Sequence, residues 1–153
     1  MAFLSLFSAK PLLNHSEQEL VVNAIRASEK QTSGEIRVYV ESRCKFVDPL
    51  DRAAAIFYSL KMDATELHNA VLVYVAVKDR QLAIFADEGI YQKAGASFWQ
   101  NAVSAMLKDF NRNDYGQGIA SVVKDIGDTL HLHFPYDAGT DKNELPDEIV
   151  FGK

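Results

Sequence analysis

Residues 70–77, Ala-Val-Leu-Val-Tyr-Val-Ala-Val, form an unbroken apolar run rich in β-branched side chains. The run is short for a helix and has no polar position that could face water. It reads as a β-strand buried on both faces. Such a strand needs a layer above it and another below, so helices must cover both sides of its sheet.

The flanking segments supply those layers. Ser16-Glu17-Gln18-Glu19 has the form of a capping box, and Leu20, Val21, Ala24, Ile25 and Ala27 follow on a helical stripe that Ser33-Gly34 ends. Residues 35–41 then alternate, with Ile36, Val38 and Val40 toward a core and Glu35, Arg37, Tyr39 and Glu41 toward a wetter side. Asp48-Pro49 opens a second helix that carries Ile56, Phe57 and Leu60. Lys78-Asp79-Arg80 is a turn, and residues 81–86 return as a third strand. Two more helices, over 96–110 and 115–131, are joined by Asn111-Arg112-Asn113-Asp114. The order is α-β-α-β-β-α-α. A strand–helix–strand crossover makes the first two strands parallel, and the tight turn makes the third antiparallel. The expected class is α/β, a three-layer α/β/α sandwich built on a mixed sheet.

A chain of 153 residues suits one domain at residues 16–136, with an apolar arm at 1–15 and an acidic tail at 137–153. Of the net charge of −5, the tail holds −3: five acids against Lys142 and Lys153. Pro146 and scattered acids mark that tail as loosely docked or poorly ordered. The acidic balance argues against a broad nucleic-acid surface. Cys44 is the single cysteine, so no internal disulfide forms, and it reads as a half-buried bystander at a strand end. The first thirteen residues lack a basic export region, and nowhere do 18 apolar residues run together, which leads to an expectation of a cytoplasmic protein with no membrane span. Phe3, Leu4, Leu6, Phe7, Leu12 and Leu13 read as an arm that packs on the domain or on a protein partner; the tail is the other candidate partner surface.

No glycine-rich phosphate loop follows any strand, and Gly116-Gln117-Gly118 lacks the context for one. No catalytic triad can be assembled from the four histidines. Topology gathers acids instead. Parallel pairing puts Glu35 at the same sheet end as Asn69, and a two-residue hairpin loop would set Asp87 opposite Leu72 and Glu88 opposite Val71. Glu66 and His68 sit across from them, and Gly89 permits a tight bend. Asp87 and Glu88, supported by Glu35 and Asn69, form a set of oxygen donors for a divalent cation, Ca²⁺ before Mg²⁺, with Asp114 contributing from the interhelical loop. Solvated turn residues would look the same. His131 and His133 do not share a helix face and suit a helix C-terminus; Asp114-Tyr115-Gly116-Gln117 suits an N-cap; Phe98, Trp99 and Phe110 suit a core.

Several spaced motifs in one order resemble the TPM domain family, which includes thylakoid-lumen repair phosphatases and many bacterial proteins. They are residues 32–38 (Thr-Ser-Gly-Glu-Ile-Arg-Val), 69–76, 84–90 (Ile-Phe-Ala-Asp-Glu-Gly-Ile), Phe98-Trp99 and 110–119. The resemblance spans about residues 16–136 and implies an α/β/α sandwich, divalent-metal binding and acid phosphatase activity. Many relatives carry an acid before the Asn-Gly that starts the central strand, and a Gly-Tyr-Gly-Leu-Glu segment after the third. Here those places read His68-Asn69-Ala70 and Ala86-Asp87-Glu88-Gly89-Ile90. His68 is a softer ligand than an acid, which lowers the expected affinity for a hard cation. The leading expectation is a TPM-type domain that binds a divalent cation at one end of its sheet. The alternatives are a metal-dependent phosphomonoester hydrolase, in which the cation polarises the phosphoryl oxygen, and a protein-interaction module with no metal.

Overall fold

A computed structural model of the chain describes residues 12–44, 48–137 and 149–152. The elements run α1 (His15–Glu29), β1 (Glu35–Glu41), α2 (Pro49–Ser59), a short 3₁₀ turn (Met62–Ala64), β2 (Ala70–Ala76), β3 (Gln81–Ala86), α3 (Glu88–Ala94), α4 (Ala96–Asn111), α5 (Tyr115–His133) and β4 (Ile149–Phe151). The strands form one sheet in the order β3-β2-β1-β4. β1 pairs in parallel with β2, Glu35 beside Ala70 and Glu41 beside Ala76, and β3 returns antiparallel to β2. The α/β class, the mixed sheet and the two covering layers are those expected.

Every residue of β2 is buried. Val71, Val73 and Val75 point into one core with Ile36, Val38 and Val40 of β1, against α1, α4 and α5. Leu72 and Tyr74 point the other way, into a smaller core closed by Ile56 and Phe57 of α2 and by Met62. Trp99 and Phe110 belong to the larger core, as their helical spacing suggests. Phe57 is sealed from solvent, a burial that contributes about 2 kcal/mol.

The structure departs from the sequence reading in five places. The first helix begins two residues early: Asn14 is its N-cap, accepting from the Glu17 N–H while the Glu17 carboxylate accepts from the Asn14 N–H. Asn and Ser cap equally well, so the box Asn14–Glu17 competes with Ser16–Glu19 and wins by the entry of Leu13, which is buried in the core. The "wetter" face of β1 is only half wet: Arg37 and Tyr39 are half-buried, while Glu35 and Glu41 are buried, Glu41 against Arg52 of α2. The β2–β3 loop has four residues rather than two, with Arg80 in the left-handed region (φ +52°). The register therefore moves by two: Ala86 faces Val71, and the Asp87 N–H reaches the Ala70 carbonyl at 3.0 Å. A shift of two residues keeps every side chain on its face. Residues 88–94 form a helix between β3 and α4, one more than the order α-β-α-β-β-α-α holds. Finally, residues 149–151 of the acidic tail are a strand, Val38 beside Ile149 and Val40 beside Phe151. Residues 1–11 of the arm and 138–148 of the tail lie outside the described residues.

α1 and α5 approach closely at Gly127. A Cβ there would stand 2.3 Å from Ser28 Oγ and 2.5 Å from Ser28 Cβ. A serine side chain is too short to swing clear, so the helices would have to part. Gly127→Ala is expected to cost about 1–3 kcal/mol despite the better helix propensity of alanine, read as a lower urea midpoint at unchanged slope.

Candidate functional site

The candidate site is the end of the sheet where β1 and β2 begin. Glu35, Ala70 and Asp87 lie on one rung: Glu35 pairs with Ala70, and Asp87 bonds to Ala70 from the other side. Residues side by side on a rung share a face, so the two acids flank the methyl of Ala70, their Cα atoms roughly 10 Å apart. Glu35 is 2% exposed, Asp87 7% and Asn69 1%. The Asn69 carbonyl accepts from the Glu35 N–H at 3.3 Å, and its side-chain amide donates to Ser33 Oγ at 3.4 Å.

Asp87 is the N-cap of α3. Its Oδ1 accepts from the Glu88 N–H at 2.8 Å, and His68 Nδ1 lies 3.2 Å from its Oδ2. Each carboxylate oxygen has two lone pairs, so one on each stays available. His68 holds a left-handed backbone (φ +50°) that brings its carbonyl and that of Leu67 over the first turn of α3. A Cβ on Gly89 would lie 2.2 Å from the Leu67 oxygen and 2.4 Å from that of His68. Gly89 is thus required by close approach of two backbones, not by a bend. Thr65, at the base of the same loop, is buried.

The other two acids stand apart. Glu88 is exposed in the first turn of α3. Asp114 precedes α5, whereas Gly34, next to Glu35, packs against Leu130 near the far end of that helix. Some fifteen residues of helix put Asp114 roughly 20 Å away. Asp114 is also exposed and makes no side-chain cap. Its place is taken by Glu17 of α1, whose Oε2 accepts from the Gly116 N–H at 3.2 Å. Among the described residues, no three His, Cys, Asp or Glu side chains are grouped to hold a metal ion. Asp87, Glu35 and Asn69, with the main-chain carbonyls beside them, would offer a cation oxygen donors alone, the ligand chemistry that a hard ion requires.

A second polar group sits at the opposite end of β1, around Glu41. Arg52 of α2 grips Glu41 with two bonds, Nε to Oε2 and Nη2 to Oε1, both 2.9 Å. The Tyr74 hydroxyl donates to the same Oε2. Burial and the bond to Glu41 push the Tyr74 pKa far up; burial and the Glu41 charge raise that of Tyr39; the bond to Glu41 raises that of Arg52. Gly152 covers the group: a Cβ there would lie 2.4 Å from the Tyr39 hydroxyl. With three charge-assisted bonds, Glu41 is committed to holding α2 on the sheet. Spacing shows that i and i+4 pair on a helix, but not that a helix arginine meets a strand acid eleven residues earlier.

Glu41→Gln is expected to lower stability by about 3 kcal/mol, because it leaves the Arg52 charge without its counter-ion in a mostly buried place. The tyrosine carries a pH prediction. A phenol whose folded pKa is raised adds stability that is fully present below its unfolded value and lost as pH climbs above it. Alkaline difference spectra should show Tyr74 ionising only as the protein unfolds, and Tyr74→Phe should remove that late step.

The comparisons with known proteins follow the same architecture. The model of the TPM domain matches residues 8–129. The chain is similar to the BA42 protein from the psychrophilic bacterium Bizionia argentinensis sp. nov., whose NMR structure shares 38% identity over 95% of this chain and 99% of that one, with a TM-score of 0.85. It is also similar in fold to the N-terminal domain of cg2496 from Corynebacterium glutamicum, at 16% identity over 76% of this chain and 73% of that one, with a TM-score of 0.58. No curated protein matches. No helix among the described residues is long and apolar enough to cross a membrane. The motifs, the order of elements and the matched span together place the chain in the TPM domain family.

Proposed function

We propose that this TPM domain binds one divalent cation, Ca²⁺ in preference to Mg²⁺, at the end of the sheet where β1 and β2 begin. Asp87 is the principal ligand, with Asn69 and Glu35 supporting it and main-chain carbonyls of the 65–69 loop and water completing the shell. Glu88 and Asp114 lie outside this set. The reading rests on one observation: two acids, Glu35 and Asp87, are buried on the same rung with a buried amide between their strands. A cation would add to the compensation that buried carboxylates draw from their hydrogen-bond partners. The donors are all oxygen, which favours a hard ion, and their wide spacing favours the larger one with its flexible coordination. The site binds weakly, because the Asp87 oxygens already serve the α3 N-terminus and His68.

The test is a calcium and a magnesium titration followed by melting temperature. A ligand at one hundred times its Kd adds about 2.7 kcal/mol to the native state, so the melting temperature should climb with Ca²⁺ and fall back with EDTA. Asp87→Asn is the informative variant, since asparagine caps a helix as well as aspartate but loses the charge. It should fold normally and lose the calcium response. A melting temperature indifferent to both cations would overturn the proposal, as would an undiminished response in Asp87→Asn. The same samples, assayed against a generic phosphate ester, decide between binding and hydrolysis: cation-dependent turnover lost in Asp87→Asn would make the site hydrolytic.

A further inference from the structure

β3 is an edge strand whose outer side has no neighbour among the described residues. The phase of its hydrogen bonds is fixed by the Asp87 N–H on the Ala70 carbonyl. In an antiparallel ladder the bonded pairs alternate. Residues 81, 83, 85 and 87 therefore bond inward to β2, and Leu82, Ile84 and Ala86 turn their N–H and C=O groups outward. Edge strands are ordinarily blunted by charge, proline or a bulge. Residues 81–86, Gln-Leu-Ala-Ile-Phe-Ala, have no charge and no proline. A cavity of about 670 Å³ runs along this edge, walled by Leu50 of α2 on one side and by Tyr91, Trp99 and Val103 on the other. Leu50, Tyr58 and Tyr91 are exposed around it, and Tyr58 lies edge-on to Phe85.

The charges at the two ends of β3 select the occupant. Lys78 and Arg80 precede the strand, with Asp79 between them paired to Arg43, and the exposed Glu88 follows it after the buried Asp87. A strand laid antiparallel along the edge must bring basic residues to the acidic end and acidic residues to the basic end. β3 of a second copy of this chain has that pattern.

We propose that the protein self-associates through β3, pairing antiparallel across a two-fold axis at Ile84 to give one continuous sheet through both copies. This register alone uses every outward group: Ile84 pairs with Ile84, and Leu82 with Ala86. It also sets the exposed Arg80 of each copy across from the exposed Glu88 of the other. The two contacts are equivalent by symmetry, as an isologous interface requires. The exposed Leu50, Tyr58 and Tyr91 rims are covered in the same step.

The full chain is examined by sedimentation equilibrium over a range of concentrations. A concentration-dependent dimer is expected. Arg80→Glu and Glu88→Arg should each weaken it by about tenfold or more, since each replaces two attractions by two repulsions. The double variant should recover most of the loss, a rescue that damage to the fold would not produce. Ala86→Pro removes one outward N–H and no bond to β2, the position where a sheet tolerates proline. It should leave the far-ultraviolet circular dichroism unchanged and yield a monomer. A wild-type chain that stays monomeric throughout would overturn the proposal. So would a dimer unaffected by Ala86→Pro, or a charge swap without rescue.

Discussion

The two-sided burial of β2 is the constraint on which the rest of the molecule depends. Its seven residues are shielded by α1, α4 and α5 on one face and by α2 on the other. A strand in that position cannot shift register by one residue without carrying valines from one core into the other. Everything attached to it inherits that fixity: β1 through parallel pairing, β3 through the hairpin, and the Asp87 end through a hydrogen bond to Ala70. The candidate site is therefore held by strand ends rather than by loops, the arrangement that keeps functional groups in place with least local strain.

The two ends of the sheet show how one chemical group, the carboxylate, serves different purposes. Glu41 is held by a bidentate arginine and a tyrosine hydroxyl, and acts as a clamp between α2 and the sheet. Asp87 meets one helix N–H and one imidazole, both softer partners than a guanidinium. A carboxylate gripped by a guanidinium has its charge already answered, whereas one held by weaker partners retains chemistry. Burial alone does not separate the two; the strength of the partners does.

Much of this was legible in the residues. The apolar run at 70–76, the alternation at 35–41 and the spacing of Trp99 and Phe110 located the sheet and its larger core, because burial imposes periods that a reader can count. The convergence of Glu35, Asn69 and Asp87 followed from topology, and survived a hairpin shifted by two because that shift preserves facing. What stayed hidden depended on distant partners. Asn14 outcompeted Ser16 as a cap because Leu13 is drawn into the core. Glu41 looked solvated until α2 covered it. Asp114 read as a nearby ligand because nothing in the sequence states that α5 lies lengthwise between it and Glu35. Residues 149–151 are too few, and too close to acids and Pro146, to announce a strand.

That last strand has a consequence for how the molecule assembles. β4 pairs with β1 across more than a hundred residues of chain, the largest sequence separation in the sheet. In synthesis from the N-terminus, residues 149–151 emerge after every other strand and helix of the described residues. The first three strands and α1 through α5 can condense around β2 while β1 still has one open side. The final residues then close it, and Gly152 settles over Tyr39 and Glu41. During synthesis on a ribosome, β1 keeps an open side until residues 149–151 emerge, and thereafter the short β4 takes its place as the edge opposite β3.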